Sequence, residues 1–240
     1  YEPAGGPVVE IVLDGPGKNA LGTQLLVSTR EALDAAGGRP VLLRGEGDSF
    51  SAGLDLREVA SLDPKGMTRF LGDLAALLAT LWRYPGPTVA AVNGHAIAGG
   101  CLVALACDVA VGTSAPKARI GLNEGALDLR FPPTVLRMVR ARLTPSAASE
   151  VLLGAGLHTP ADALRLGLVD RLAEDPVAVA REILAVRAAL PSGAYAATKA
   201  SLRTGVFEES PEDAHRFLAD VIPVWTGDAL RARLAAFLGR

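Results

Sequence analysis

The sequence predicts an α/β fold, and three observations support this class. Short apolar runs rich in β-branched residues alternate with longer segments of helical periodicity over the first half of the chain. Half of the 240 residues are hydrophobic, which is enough to form a large buried core. The strands are short and the helices irregularly spaced, which favours a coil of repeated strand–strand–helix units over a doubly wound sheet.

Strands are predicted where an apolar, partly alternating run is bounded by turn residues. These runs occupy residues 7–13, 41–43, 88–92, 108–112 and 118–121. A Gly-Pro-Gly-Lys-Asn stretch at 15–19 is predicted to be a loop. After Pro132 the strand signals stop, so we expect the rest of the chain to be helical.

Helices are predicted where apolar residues recur with a period of about 3.6. In the first half they cover residues 23–36, 64–82 and 101–107, with Thr23 a possible N-cap and Gly37 a stop for the first. In the second half, proline stands near most of the helix starts, its usual position. These helices are predicted at 133–142, 145–153, 160–165, 176–190, 193–204, 211–224 and 228–238.

Composition and charge argue against several classes of protein. A net charge of −2 gives no support for nucleic-acid binding. No apolar run of about twenty residues predicts a membrane span, and no signal-peptide pattern opens the chain. Cys101 and Cys107 lie on one apolar helix and are interpreted as small core residues, not as a disulfide or metal ligands. We therefore expect a cytoplasmic protein without a metal site.

The chemistry is predicted to lie within residues 91–129, AVNGHAIAGGCLVALACDVAVGTSAPKARIGLNEGALDL. Gly99 and Gly100 open an apolar helix, and glycines there let backbone N–H groups approach a ligand at the positive end of the helix dipole. Such a place suits a developing oxyanion. Glu124 follows in weakly charged sequence, and one carboxylate beside an anion hole can move a proton next to a carbonyl. Taken alone, however, Glu124 is more typical of a capping residue.

Three strings in this order resemble the crotonase superfamily, the enoyl-CoA hydratase/isomerase family. They are FSAGLDL at 50–56, AGGCLVAL at 98–105 and IGLNE at 120–124. Within the superfamily the sequence is most similar to the Δ3,Δ2-enoyl-CoA isomerases. The resemblance implies a crotonase-type spiral of ββα units with an α-helical C-terminal trimerisation region. We expect a spiral core over residues 1–190 and the helical region over 191–240.

The resemblance also implies roles for individual residues. The main-chain N–H groups of Leu54 and Gly99 would hold the thioester oxygen of an acyl-CoA, and Glu124 would be the acid–base group. Contacts to the substrate are expected from Ala20, Leu21, Ala52, Gly53, Asp55, Leu56, Gly100 and Asn123. The expected assembly is a homotrimer or hexamer, and no cofactor is expected, since coenzyme A is part of the substrate.

Leu102 stands where the hydratases of this family carry a second glutamate. Adding water to a double bond needs an acid and a base, whereas a 1,3-proton shift needs one group that does both. The sequence therefore favours an isomerase that converts 3-enoyl-CoA to trans-2-enoyl-CoA. Two alternatives stay open: a hydratase or thioester hydrolase with Asp128 as a second acid, and a catalytically idle acyl-CoA-binding or scaffold protein.

The remaining polar candidates are interpreted as structural. Asp128 and Arg130 are expected to pair with each other or to line the acyl tunnel. Asp108 is expected to cap its helix or to pair locally, and His158 to lie in an exposed helical stretch.

Overall fold

The computed structural model describes residues 7–239, without the side chains of Phe237 and Leu238. All strands are parallel and form two sheets. Five strands make the larger sheet: β1 (Val9–Leu13), β2 (Val41–Gly45), β4 (Thr88–Val92), β6 (Val109–Thr113) and β8 (Arg171–Ala173), in this order. Three make the smaller one: β3 (Ser49–Ser51), β5 (His95–Ile97) and β7 (Ile120–Gly121), also in this order.

The chain passes from one sheet to the other three times, from β2 to β3, from β4 to β5 and from β6 to β7. Each pass adds one strand to each sheet. Because β4 and β6 are covered on both faces, every residue in them is buried, as is typical of parallel sheets. The predicted coil of strand–strand–helix units is therefore confirmed.

Residues Pro16–Asn19, within the stretch predicted to be a loop, form a four-residue helical turn with left-handed Gly17 and Lys18. The other helices of the first half lie before the first pass or between successive passes. They are α1 (Thr23–Ala36), α2 (Leu56–Ser61), α3 (Pro64–Arg83) and α4 (Gly99–Ala106). Gly37 ends α1, as predicted, and adopts a left-handed conformation, whereas the N-cap is Gly22 and not Thr23. The Thr23 N–H instead donates to Glu58 of α2 at 2.9 Å, so a carboxylate supplies the negative charge that favours a helix start.

Helices of the second half pack around the sheets. They are α5 (Pro133–Arg142), α6 (Pro145–Gly154), α7 (Pro160–Arg165), α8 (Pro176–Ala188), α9 (Ser192–Arg203), α10 (Pro211–Arg216), α11 (Ile222–Trp225) and α12 (Asp228–Leu238). A π-helical turn, Phe217–Val221, joins α10 to α11. It precedes Pro223, which has no N–H for a regular helical hydrogen bond.

The strand prediction for this half was wrong. Strand signals do not stop at Pro132, because β8 adds a fifth strand beside β6, with Val111 opposite Arg171. The strand has three residues, an exposed one and two half-buried ones, so it carries no periodic signal.

The C-terminal helices share the main hydrophobic core with the spiral. Val221, Ile222 and Trp225 are at most 5% exposed and belong to the same cluster as the central helix α4. The boundary at residues 190 and 191 stays a prediction. Within residues 7–239, no helix combines the length and the apolar character needed to cross a membrane.

Candidate active site

The candidate site lies at the carboxyl edge of the three-stranded sheet. Neighbouring parallel strands end at the same edge, where ligands of α/β proteins commonly bind. Leu54 follows β3, Gly99 follows β5 and Glu124 follows β7. The Ala98 N–H donates to the Gly121 carbonyl at 2.8 Å, which extends the pairing to the end of β5. Three segments that are far apart in sequence, the strings at 50–56, 98–105 and 120–124, are thereby brought to the same edge of the sheet.

The first loop presents the Leu54 amide. Leu21 lies beside it in a parallel bridge, in which the Leu21 N–H donates to the Gly53 carbonyl at 2.7 Å and its carbonyl accepts from Asp55 at 3.2 Å. In this pattern the Leu54 N–H points away from Leu21, and it has no hydrogen-bond partner within residues 7–239. Gly53 has a φ of +94°, and a Cβ there would lie 2.8 Å from the Ile97 carbonyl oxygen. Glycine is therefore required at this turn.

The second loop presents the Gly99 amide at the start of α4. A Cβ on Gly99 would lie 3.1 Å from Leu54 Cδ2, so the two loops are in contact. The Gly99 N–H, like the other first-turn amides of a helix, lacks an intrahelical acceptor, and none is found elsewhere in the described chain. Ala98 before it has φ 48° and ψ −117°, a strained conformation for a residue other than glycine.

Glu124 begins the short 3-10 helix Glu124–Leu127 and is 6% exposed. Burial raises the pKa of its carboxyl group from 4.5 to about 7, and a hydrogen bond from its own main-chain N–H opposes this rise. Its Oε2 atom is buried and has no hydrogen-bond partner among the described residues. A buried, unsatisfied carboxylate oxygen is costly, and such groups concentrate where a protein does chemistry.

The carboxyl group of Glu124 lies near the first turn of α4. Burial raises the pKa of the Cys101 thiol well above its usual range, and the negative charge of Glu124 raises it further. Cys101 is the third residue of α4, so the charge of the Glu124 carboxylate acts on the first turn of the helix that Gly99 begins. Leu102, the next residue, is 2% exposed and offers no acid or base.

Asp128 lies outside this region. Its exposed carboxylate forms an ion pair with Arg233 of α12 at 3.1 Å. Its φ of 61° ends the 3-10 helix in a left-handed turn that aspartate tolerates well. Arg130 donates to the Asp220 carbonyl at 3.4 Å. The predicted pairing of Asp128 with Arg130 is therefore wrong, and the structure gives no support for Asp128 as a second acid.

The residues expected to contact substrate surround the two loops. Five of them are partly exposed, namely Ala20, Ala52, Asp55, Leu56 and Asn123. Three are buried, namely Leu21, Gly53 and Gly100. Asp55 also caps α2 by accepting from the Arg57 N–H at 2.9 Å. Their contact with a substrate stays a prediction.

Sequence reasoning missed two residues that hold the first loop in place. Asn19 is 3% exposed with a φ of 60°, and its side-chain amide donates to the carbonyls of Glu46 and Ser49, each at 2.9 Å. Ser51 is fully buried, and its hydroxyl group donates to the Asn19 carbonyl at 2.8 Å. One sequence feature could have indicated the role of Asn19. It ends a Gly-Pro-Gly-Lys turn, and asparagine tolerates the left-handed backbone conformation that such a turn can need.

His158 also differs from its prediction. It lies outside any helix and pairs through its backbone with Ile120 of β7, with N···O distances of 2.9 and 3.1 Å. His158 therefore fixes the strand that leads to Glu124, although its side chain has no assigned role.

Known proteins resemble this chain over most of its length. A family model described as enoyl-CoA hydratase/isomerase matches residues 4–216. A putative enoyl-CoA hydratase of Thermus thermophilus is 36% identical over 192 residues, covering 74% of this chain and 75% of the relative. The human mitochondrial enoyl-CoA delta isomerase 1 is 29% identical over 244 residues, covering 99% of this chain and 81% of the relative.

The folds agree more closely than the sequences. The crystal structure of the human mitochondrial delta3-delta2-enoyl-CoA isomerase superposes with a TM-score of 0.89 at 29% identity, covering 97% of this chain and 93% of that one. An enoyl-CoA hydratase from Bacillus halodurans superposes with a TM-score of 0.83 at 24% identity, covering 95% and 96%. Relatives described as isomerases and as hydratases thus share this fold, so the reaction has to be argued from the site.

Proposed function

The chain belongs to the enoyl-CoA hydratase/isomerase family of the crotonase superfamily, and from this premise we propose that it is a Δ3,Δ2-enoyl-CoA isomerase. One observation carries the proposal. Glu124 is a buried carboxyl group with a pKa of about 7 beside the entrance of α4, while Leu102, where the hydratases carry their second acid, is apolar. One group that both accepts and returns a proton suits a 1,3-shift better than the addition of water.

In the proposed reaction Glu124 removes a proton from C2 of a 3-enoyl-CoA and returns it at C4. The electron pair of the broken C2–H bond moves into the thioester, which gives a dienolate, and re-protonation leaves the double bond between C2 and C3. The N–H groups of Leu54 and Gly99 stabilise the oxyanion. Loss of one such donor typically lowers the rate by about 10²–10³-fold. The proposed reaction needs no metal or redox step. That the protein uses no cofactor, and that it forms a homotrimer or hexamer, both stay predictions.

A raised pKa helps a group with two duties. A carboxylate with a pKa near 4.5 would be a weak base and, at neutral pH, would rarely hold the proton it must return. With a pKa of about 7, the ionised and protonated forms are comparably populated at pH 7. The same group can then act as base in the first half-reaction and as acid in the second.

The direct test compares two substrates and two matched variants. Purified protein is assayed with a 3-enoyl-CoA for formation of the conjugated product and with a trans-2-enoyl-CoA for loss of conjugation by hydration. Glu124→Gln removes the proposed acid–base group, whereas Asp128→Asn removes an equal charge four residues away on the surface. We expect rapid conjugation and little hydration, a loss of about 10²–10⁴-fold in Glu124→Gln and near-normal activity in Asp128→Asn.

Other results would contradict the proposal in distinct ways. Dominant hydration, with activity lost in Asp128→Asn, would favour a hydratase with two acids. No turnover of either substrate, together with tight acyl-CoA binding, would favour an idle binding protein.

A further inference from the structure

Ser51 is a buried hydroxyl group between the two loops of the candidate site, and the reaction proposed above does not use it. It is the last residue of β3 and is fully buried. Its Oγ atom donates to the Asn19 carbonyl at 2.8 Å and accepts from the Gly53 N–H at 3.2 Å. The hydroxyl group thus ties the turn that ends at Asn19 to the Ala52–Gly53 peptide, which comes one before the peptide that carries the Leu54 N–H.

The bond to Gly53 fixes a flexible position. Gly53, with its φ of +94°, can adopt many backbone conformations, and its rotation would redirect the Leu54 N–H. Its carbonyl is held by the Leu21 N–H at 2.7 Å and its N–H by Ser51, so both of its polar backbone groups are bound. Removing the Ser51 hydroxyl group would release one of these two restraints.

The same residue also contacts the second loop. A Cβ on Gly100 would lie 2.6 Å from the Ser51 carbonyl oxygen, 2.7 Å from its Cβ and 3.0 Å from its Oγ. The start of α4 therefore rests directly on Ser51. One side chain is in contact with both segments that present free amides.

We propose that Ser51 is a positioning residue that aims the Leu54 and Gly99 N–H groups at the thioester oxygen, through its hydrogen bond to Gly53 and its contact with Gly100. The proposal rests on the role assigned to these amides in the proposed function. Ser51 itself does not touch the substrate. Its hydroxyl group sets the geometry of the donors, and small errors in such geometry are costly in rate.

A purely structural role for Ser51 makes a different prediction. The turn at Asn19 has its own anchors, because the Asn19 side chain donates to the carbonyls of Glu46 and Ser49. Loss of the Ser51 hydroxyl group should therefore affect the donor geometry more than the stability of the fold.

Ser49 provides a matched control on the same strand. It is 1% exposed, and its hydroxyl group donates to the neighbouring Asp48 at 3.1 Å and forms no hydrogen bond with either loop among the described residues. Ser51→Ala and Ser49→Ala each remove one buried hydroxyl group from β3. The experiment measures kcat and KM for the 3-enoyl-CoA, the thermal midpoint, and the infrared band of the thioester carbonyl in a bound saturated acyl-CoA that is labelled with carbon-13 at C1 and has no double bond to shift or to hydrate.

We expect Ser51→Ala to lower kcat by at least about tenfold with little change in KM, while Ser49→Ala stays within about twofold of the wild type. Hydrogen bonds to the thioester oxygen lower the carbonyl stretching frequency. In Ser51→Ala this band should therefore move back towards its position in free solution. The two variants should have similar thermal midpoints.

Equal kcat values for the two variants, or an unchanged carbonyl band in Ser51→Ala, would overturn the proposal. If Ser51→Ala does not fold, Ser51→Cys retains a weaker donor and acceptor. Its kcat should then lie below that of the wild type, and its carbonyl band should lie between the wild-type position and that of the free ligand. The band requires binding but no turnover, so it tests Ser51 even if the wild type proves to be a hydratase or an idle protein. Failure of the proposed function is thus distinguishable from failure of this proposal.

Discussion

At the scale of single residues, the carboxyl group of Glu124 illustrates how burial changes chemistry. In water a glutamate titrates near 4.5, whereas here burial raises its pKa to about 7. Its Oε2 atom gains no compensating hydrogen bond within the described chain. The ionised form is therefore costly in the folded protein, which makes it a stronger base than an exposed glutamate.

This pKa predicts the pH dependence of the reaction. The base in the first step is the ionised form, and kcat/KM reports groups of the free enzyme. We expect kcat/KM for a 3-enoyl-CoA to fall as the pH drops below about 7, approaching a tenfold loss for each pH unit, and to level off above it. The measurement is kcat/KM between pH 5.5 and 8.5. Asp128→Asn should keep the same profile, and a profile that stays flat down to pH 5.5 would contradict the assignment.

The sequence predicted the three groups that form the candidate site but not the residues that hold them. Leu54, Gly99 and Glu124 lie in strings that can be recognised without knowledge of the fold. Ser51 is part of one of those strings, yet its partner Asn19 is 32 residues away. A contact between distant segments leaves no local signal, because it depends on how the strands pair.

At the scale of single elements, α9 is fixed to the core by a buried charge cluster around Asp108. Its Lys199 and Arg203 contact Asp108 Oδ1 at 2.7 and 2.9 Å, and its Tyr195 hydroxyl group donates to Oδ2 at 2.8 Å. The Asp108 side chain is 6% exposed. The sequence predicted that Asp108 caps its helix or pairs locally. This prediction was wrong, because the main partners of Asp108 lie about 90 residues further along the chain.

Two cations share one carboxylate in this cluster. Burial lowers the pKa of Lys199 to about 8, and Asp108 opposes this effect. Arg203 lies 4.3 Å from the centre of the Trp82 ring and donates to the Trp82 carbonyl at 2.8 Å. The cluster therefore connects α9 with α3 as well as with Asp108, which lies two residues beyond the end of α4.

Asp108→Asn should lower the free energy of unfolding by about 3–5 kcal/mol. The change leaves two buried cations without their counter-charge, and breaking a buried ion pair in this way is far more costly than breaking one at the surface. Denaturant unfolding measures the loss. The gap to the wild type should narrow as the pH rises towards about 8, because loss of Asp108 depresses the pKa of Lys199 below its wild-type value of about 8, so that this side chain gives up its proton first in the variant.

Glu150→Gln is the control for this change. It breaks the ion pair with Arg165 at 2.8 Å, in which both side chains are about half exposed, and such surface pairs contribute little to stability. Equal stability losses in the two variants would contradict the role given to the buried cluster.

The sequence predicted element positions well where helical periodicity is long or capped. The helices at 23–36, 133–142, 160–165 and 228–238 have the predicted bounds. The strands β3, β5 and β8 have three residues each and were missed, because so short a run shows no alternation. Two of the missed strands belong to the sheet whose edge carries the candidate site, so the layout of that edge could not be predicted.

At the scale of the whole molecule, the two sheets explain how one chain brings three distant loops together. Each pass from the larger to the smaller sheet ends at the edge where Leu54, Gly99 and Glu124 lie. The larger sheet supplies most of the buried strand surface, and the smaller one positions the loops. The larger sheet therefore contributes mainly to the core, and the smaller sheet mainly to the candidate site.

The C-terminal helices complete this arrangement by packing into the main core of the spiral. Trp225 is 5% exposed, packs in the main core, and donates from its ring nitrogen to the Arg130 carbonyl at 2.9 Å. Arg233 of α12 donates to the Leu127 carbonyl at 3.2 Å and pairs with Asp128, at the end of the short 3-10 helix that begins at the catalytic candidate Glu124. Residues beyond 190 thus cover core surface and restrain the segment that carries the acid.

This packing predicts a single cooperative unfolding transition for the full chain. A shortened chain that ends at residue 190 would expose the core surface now covered by Val221, Ile222 and Trp225, and would leave Asp108 without its two cations. We expect this shortened chain to lack a cooperative transition in calorimetry. In the full chain, we expect Trp225→Ala to lower the free energy of unfolding by about 3–5 kcal/mol, because it removes a large side chain from the core. Leu202→Ala is the control, because that side chain is 80% exposed. Two separate transitions in the full chain, or native-like melting of the shortened one, would instead indicate that the predicted regions 1–190 and 191–240 fold independently. Removal of the C-terminal helices should then leave the candidate site intact.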